Sequence, residues 1–262
     1  MQTLGLERVL TATDRLVSWT PRPLRSALER PVSPPRSRGG SAPRAIVRFT
    51  LGVSLVMFVL LAGLHLANAV LWSGSHQLLD ADDDRSLWSW ASIAVESLAA
   101  GVLALLAVTS ARRGVLAFCA VAVTFFSLDD FVRIHENLGA VFGGLFPHAA
   151  RAMWPVLYMP LLVALLIQLW RVAEGLDERE RGLVRGGLVA LVVAVGLEFS
   201  TPLIFAIGQD IRSAGYAVEV ALEEGFELCG WIWIAGGLAA GLVRRLENPA
   251  PGVAPPPFPE AG

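Results

Sequence analysis

Residues 45–72 read AIVRFTLGVSLVMFVLLAGLHLANAVLW, a nearly unbroken apolar run with one arginine near its start and one histidine inside it. About 20 helical residues cross the roughly 30 Å of hydrocarbon in a bilayer, and this run is longer. It lacks the strict alternation of a barrel strand. Lipid supplies no partners for backbone N–H and C=O groups, so such a segment spans as a helix. Five more stretches share this character. The predicted spans are about 46–72, 87–110, 114–136, 152–171, 184–208 and 215–243. The expected fold class is therefore all-α, a polytopic membrane bundle of six transmembrane helices.

Composition agrees. Of 262 residues, 54% are hydrophobic and 17% charged, against about 25% charged in a soluble domain. All 21 basic residues are arginine. The absence of lysine excludes a retinal Schiff base, a pyridoxal enzyme and a Walker-type phosphate lysine, so neither retinal nor nucleotide is expected. The 2 cysteines make neither a disulfide scaffold nor a thiolate zinc site. With no basic face beyond the N-terminal tail, nucleic acid is not an expected partner. The expected surroundings are a lipid bilayer.

Residues 1–45 form an arginine- and proline-rich tail that includes PVSPPRSRGGSAPR and reads as mostly disordered. Within it, LGLERVLTATDRLVSW (4–19) has helical periodicity and suits either a membrane surface or a frayed piece of tail. No apolar segment there precedes a small-residue cleavage site, so no cleaved signal is expected. Residues 46–243 form the transmembrane domain, and 244–262 a proline-rich tail. Arginine sets the orientation. The N-terminal tail, the loop at Arg112 and Arg113, the loop from Arg171 to Arg185, and Arg244 and Arg245 are basic. The loops between them are not. Basic and non-basic segments alternate along the chain, which puts both termini in the cytoplasm of an inner membrane.

Ionisable groups inside the spans are costly, about 2.5–3.5 kcal/mol for Asp at a helix centre. This chain has many of them. Glu96 is on the second span, Asp129, Asp130, Arg133, His135 and Glu136 on the third, and Glu198 on the fifth. Glu219, Glu223, Glu224 and Glu227 are on the sixth, and His65 on the first. With the termini inside, all fall in the outer half, so five helices direct them to one outward-facing cavity. The fourth span adds only Tyr158 and Gln168. Glu219, Glu223 and Glu227 lie four apart and form one stripe, while Asp129, Arg133 and Glu136 share another face. Glu224 is expected to face elsewhere. Nine acids against Arg133 cannot all be bare charges in a dry site: either several are protonated or cations occupy the cavity.

A single carboxylate in a membrane helix is often a helix–helix hydrogen bond, but no packing need calls for three on one apolar face. Oxygen-rich sites with imidazole suit hard or borderline cations, here a divalent Fe, Mn or Zn. The Glu-x-x-His of di-iron bundles is missing, because Val132 stands three before His135. HExxH fails at Gly139, and 4 histidines are too few for the histidine boxes of membrane desaturases. The strings FFSLDDFVRIHENLG (125–139) and VALEEGFELCGW (220–231) resemble motifs of uncharacterised bacterial multi-pass membrane proteins. Those carry LD(D/E) followed by HE on one helix, and LEE followed by E on a later one. The resemblance implies that Asp129, Asp130, His135, Glu136, Glu223, Glu224 and Glu227 belong together. It attaches no reaction to them. Asp130 stands where that pattern has Glu.

The expected metal ligands are Glu96, Asp129, His135, Glu136, Glu198, Glu223 and Glu227, with His65, Asp130, Arg133 and Glu219 as second shell or alternates. Three functions compete. One is a membrane-embedded metalloenzyme acting on a lipid-soluble small molecule. The second is a proton- or cation-coupled transporter, for which a dry inner plug would be adverse. The third is a non-catalytic partner subunit, its small-residue faces at Gly237 and Gly241 packed on another chain.

Overall fold

The computed structural model describes residues 41–83, 85–134, 150–198 and 213–248, without the side chains of 150–157. Among them there are six helices and no strand: α1 Ser41–Leu71, α2 Leu87–Thr109, α3 Arg113–Val132, α4 Ala150–Glu174, α5 Glu178–Glu198 and α6 Ala214–Glu247, with a 3-10 turn at Gln77–Leu79. The two tails lie mostly outside the described residues. Four of the six helices, α1, α2, α3 and α6, are long and apolar enough to cross a membrane.

Packing follows from which faces are small. α6 packs against α5, α1 and α2; α2 continues to α3, α3 to α4, and α4 back to α5. Helices α2 to α6 thus close a ring, and α1 lies against the outside of α6. At the α5–α6 crossing Gly187 meets Gly230, and a Cβ on Gly187 would fall 2.5 Å from the Gly230 carbonyl oxygen. Neither backbone can yield there. Gly187→Ala is expected to destabilise the bundle by about 1–3 kcal/mol. Gly196→Ala on the same helix meets nothing within 4 Å and should be neutral or mildly stabilising. Equal melting temperatures for the two variants in detergent would contradict this packing.

α1 is patterned inside out. Its buried residues are Pro43, Thr50, Ser54, Leu61, His65 and Asn68, while Phe49, Leu55, Val56, Val59 and Val70 are exposed. A soluble protein does not expose such a continuous apolar face. Lipid accepts it, and the polar stripe finds partners inside. Trp233 Nε1 donates to Ser54 Oγ at 2.8 Å. The Asn68 side chain clamps the backbone of His76, donating at 3.1 Å and accepting at 3.0 Å. His65 Nδ1 accepts the Ala81 N–H at 2.9 Å. These bonds tie the 73–86 connection down onto α1. His65→Phe would leave the buried Ala81 amide without its acceptor, at about 1–3 kcal/mol. Faster amide exchange at Ala81, with the helices unchanged, is the expected result; unchanged exchange would refute it.

The third helix is shorter than expected. It ends at Val132 rather than 136, because Arg133 takes a left-handed conformation (φ 58°) and its N–H returns to the Asp129 carbonyl at 2.6 Å. That conformation costs a non-glycine residue about 1–2 kcal/mol. The predicted face joining Asp129, Arg133 and Glu136 is therefore interrupted at Arg133, and Glu136 lies outside the described residues.

Beneath the ring's acidic end the core is wholly apolar. Leu103 and Leu106 from α2, Cys119 and Val123 from α3, Leu165 and Leu169 from α4, Leu188 and Leu191 from α5, and Ile234 and Leu238 from α6 are all buried in one cluster.

Candidate metal site

A cavity of about 240 Å³ lies inside the ring, lined by residues from all five of its helices. α2 brings Ser92 and Glu96, α3 brings Asp129 and Asp130, and α4 brings Tyr158. α5 contributes Glu198, and α6 contributes Glu223, Glu224, Glu227 and Trp231. Seven acids line it. No arginine or histidine does so among the described residues. A wider groove of about 480 Å³ between α4 and α5 is lined mainly by aliphatic side chains, Leu166, Ile167, Leu188, Val189 and Val192 among them. Its walls suit lipid tails.

Helical spacing explains the convergence. Glu223 and Glu227 are four apart and Glu224 and Glu227 three apart, so all three fall on neighbouring rows of one face. That corrects the expectation that Glu224 faces elsewhere. Asp129 and Asp130 are about 100° apart around α3, and they divide the work accordingly. Asp129 accepts the Tyr158 hydroxyl at 3.1 Å. Asp130 instead joins Glu96 and Glu227: one carboxylate oxygen from each of the three lies within 4.8 Å of the others. Oxygens that bind one Zn-sized cation at about 2.0–2.2 Å lie no farther apart than about 4.4 Å, so the three side chains would draw in by a few tenths of an ångström to share a single ion. Asp130, an alternate in the sequence-based set, stands in this trio where Asp129 was expected.

Burial raises the stakes. Glu96 is 1% exposed, and its Oε2 has no hydrogen-bond partner among the described residues. The Glu96 carboxyl also meets Asp130 in a side-chain hydrogen bond, and two buried carboxyls so close need a shared proton or a cation.

The remaining predicted residues fall as follows. Glu198 and Glu223 line the cavity but are not members of the trio. Glu219 is buried one turn from Glu223 but does not line the cavity. Arg133 is exposed and off the lining. His65 serves the loop at Ala81, because α1 contributes nothing to the ring. His135 and Glu136 lie outside the described residues.

Ser92 and Trp231 were not anticipated as lining residues. Each is one turn from a predicted ligand, at i−4 from Glu96 and i+4 from Glu227, and that spacing was the available signal. A second polar cluster was also missed, on the far side of the apolar core. Glu180, 1% exposed, accepts the Arg244 Nε–H at 2.8 Å and the Asp177 N–H at 3.3 Å. Asp177 also pairs with Arg244. The Glu180 side chain thus supplies one half of a capping box at the start of α5, accepting the N–H of the residue before the helix.

The sequence pattern of the family described as "Domain of unknown function (DUF8692)" matches residues 48–240, from α1 into α6. The chain belongs to this family. No curated protein and no solved structure matches it. The DUF8692 match spans every described residue that lines the cavity, whereas Arg244 lies beyond it.

Proposed function

We propose that this DUF8692 protein is a six-span bacterial inner-membrane protein with both termini cytoplasmic. It holds a divalent Fe, Mn or Zn ion between Glu96, Asp130 and Glu227, in the outer half of the bundle. The observation that carries the reading is the trio of carboxylate oxygens within 4.8 Å of one another, one of them on a glutamate 1% exposed. Glu198, Glu223 and Glu224 line the same cavity, and their carboxyl oxygens offer a cation further ligands. His135 and Glu136 remain proposed further ligands.

The function is that of a metalloenzyme acting on a lipid-soluble substrate, with the ion activating water or another small reactant. The apolar packing beneath the cavity supports this over transport. A coupled cation carrier needs polar stations through its inner half, whereas all five ring helices pack aliphatic side chains there. A purely structural subunit would leave seven lining acids without a use. Elemental analysis of protein purified in mild detergent tests the proposal. One divalent ion per chain is expected; none, after loading with Fe(II), Mn or Zn, overturns it.

A further inference from the structure

The groove between α4 and α5 is separate from the acidic cavity and has a chemistry of its own. Its volume of about 480 Å³ falls in the range of about 300–1,000 Å³ that binds small ligands. Leu166, Ile167, Leu188, Val189 and Val192 form its aliphatic stretch. Trp170, Arg171 and Glu174 line it toward the turn that joins the two helices. Ile167, Trp170, Val189 and Val192 are exposed, so the groove is open to whatever surrounds the bundle. Apolar surface of that kind marks contact with a membrane or a partner.

One charge at the polar end is unanswered. Arg185 stacks over the Trp170 ring at 4.4 Å and reaches Glu174 at 3.8 Å. It thereby braces the indole and offsets the carboxylate. Arg171 lines the groove and is exposed, with no ion-pair or hydrogen-bond partner among the described residues. Two arginines against one glutamate leave this rim with a single positive charge. A groove that is aliphatic along its length and cationic at one rim complements an amphiphile with an apolar chain and an anionic head. Arginine suits a phosphodiester in particular, through its planar fork of N–H donors.

We infer that the groove binds an anionic phospholipid of the bilayer, with one acyl chain along Leu166, Leu188 and Val192 and the phosphodiester on Arg171. This rests on the membrane reading above, which sets Arg171 at the cytoplasmic interface among the lipid phosphates. It does not depend on the metal. The test is native mass spectrometry of the full chain, delipidated in detergent and titrated with phosphatidylglycerol or with phosphatidylcholine of the same chains. The first phosphatidylglycerol should bind at concentrations about fivefold lower than phosphatidylcholine, the worth of one arginine near an anionic lipid. Arg171→Gln should erase that preference and leave phosphatidylcholine binding within about twofold of the wild type. Val189→Trp, at an exposed position, fills the groove and should weaken both lipids at least about fivefold. Equal affinity of the wild type for the two lipids overturns the inference, as does an Arg171→Gln protein that keeps the preference. A groove closed by a second copy, seen as a dimer that Val189→Trp dissociates, also overturns it. A chain that stays in solution once detergent is removed overturns the membrane reading itself.

Discussion

Glu96→Gln/Glu227→Gln protein is expected to purify with less than a tenth of the wild-type metal content. Each substitution exchanges an anionic oxygen donor for a neutral amide of nearly the same shape. Of the trio within 4.8 Å only Asp130 would remain charged, and one carboxylate does not hold a divalent ion against detergent and buffer. Loss of at least about 100-fold in affinity is the expected size, since losing even an outer-shell partner typically costs 10–100-fold. Glu219→Gln is the matched control, because Glu219 is buried yet does not line the cavity; its metal content should stay at the wild-type level. A second measurement separates a binding site from a packing cluster. Without metal, the double variant should melt higher than the wild type, because crowded like charges have been removed. Wild-type metal content in the double variant would refute the site.

Arg244→Met is expected to cost about 3–5 kcal/mol, the largest stability loss of any single substitution considered. Glu180 is 1% exposed, and Arg244 grips it through Nε at 2.8 Å while reaching Asp177 with another nitrogen. Without the guanidinium, a buried carboxylate is left facing only the Asp177 N–H at 3.3 Å. Burial already pushes the Glu180 carboxyl up, and Arg244 pulls it back down. The sign of the pH dependence follows. A carboxyl raised in the folded state favours folding while protonated, and that contribution is lost as pH rises through its folded value. The deficit of Arg244→Met should therefore grow from acid toward neutral pH. Glu180→Gln/Arg244→Met should recover most of the loss, because no charge is then stranded. A single variant that melts like the wild type would show that the cluster carries no net stability.

The helices were legible because their signal is long and one-dimensional: an apolar run such as 45–72 needs no knowledge of its neighbours. The acidic wall was legible for a related reason, since a carboxylate costs so much in hydrocarbon that each one announces itself. Rotation about the helix axis was not legible. Whether Asp129 or Asp130 joins Glu96 depends on how α3 turns toward α2 and α4, and that is set by contacts such as Ser97 with Ser127 at 3.2 Å. Glu180 was hidden by its position among the charges of ERER (178–181), which read as a solvated helix start. Only the approach of Arg244, 64 residues later in the chain, makes it interior. His65 misled because a buried histidine satisfied by a backbone amide has the same sequence signature as a ligand.

The inside-out patterning of α1 bears on how the molecule is made. The helix buries Thr50, Ser54, His65 and Asn68, and it packs chiefly on α6, which follows it in the chain only after α2 to α5. α1 is thus made before its polar stripe has a partner, and Trp233, the donor to Ser54, arrives only with α6. The α1 stripe is consequently closed only by α6. A ribosome stalled before α6 would leave α1 unlatched, with the Ser54 hydroxyl waiting for its indole donor.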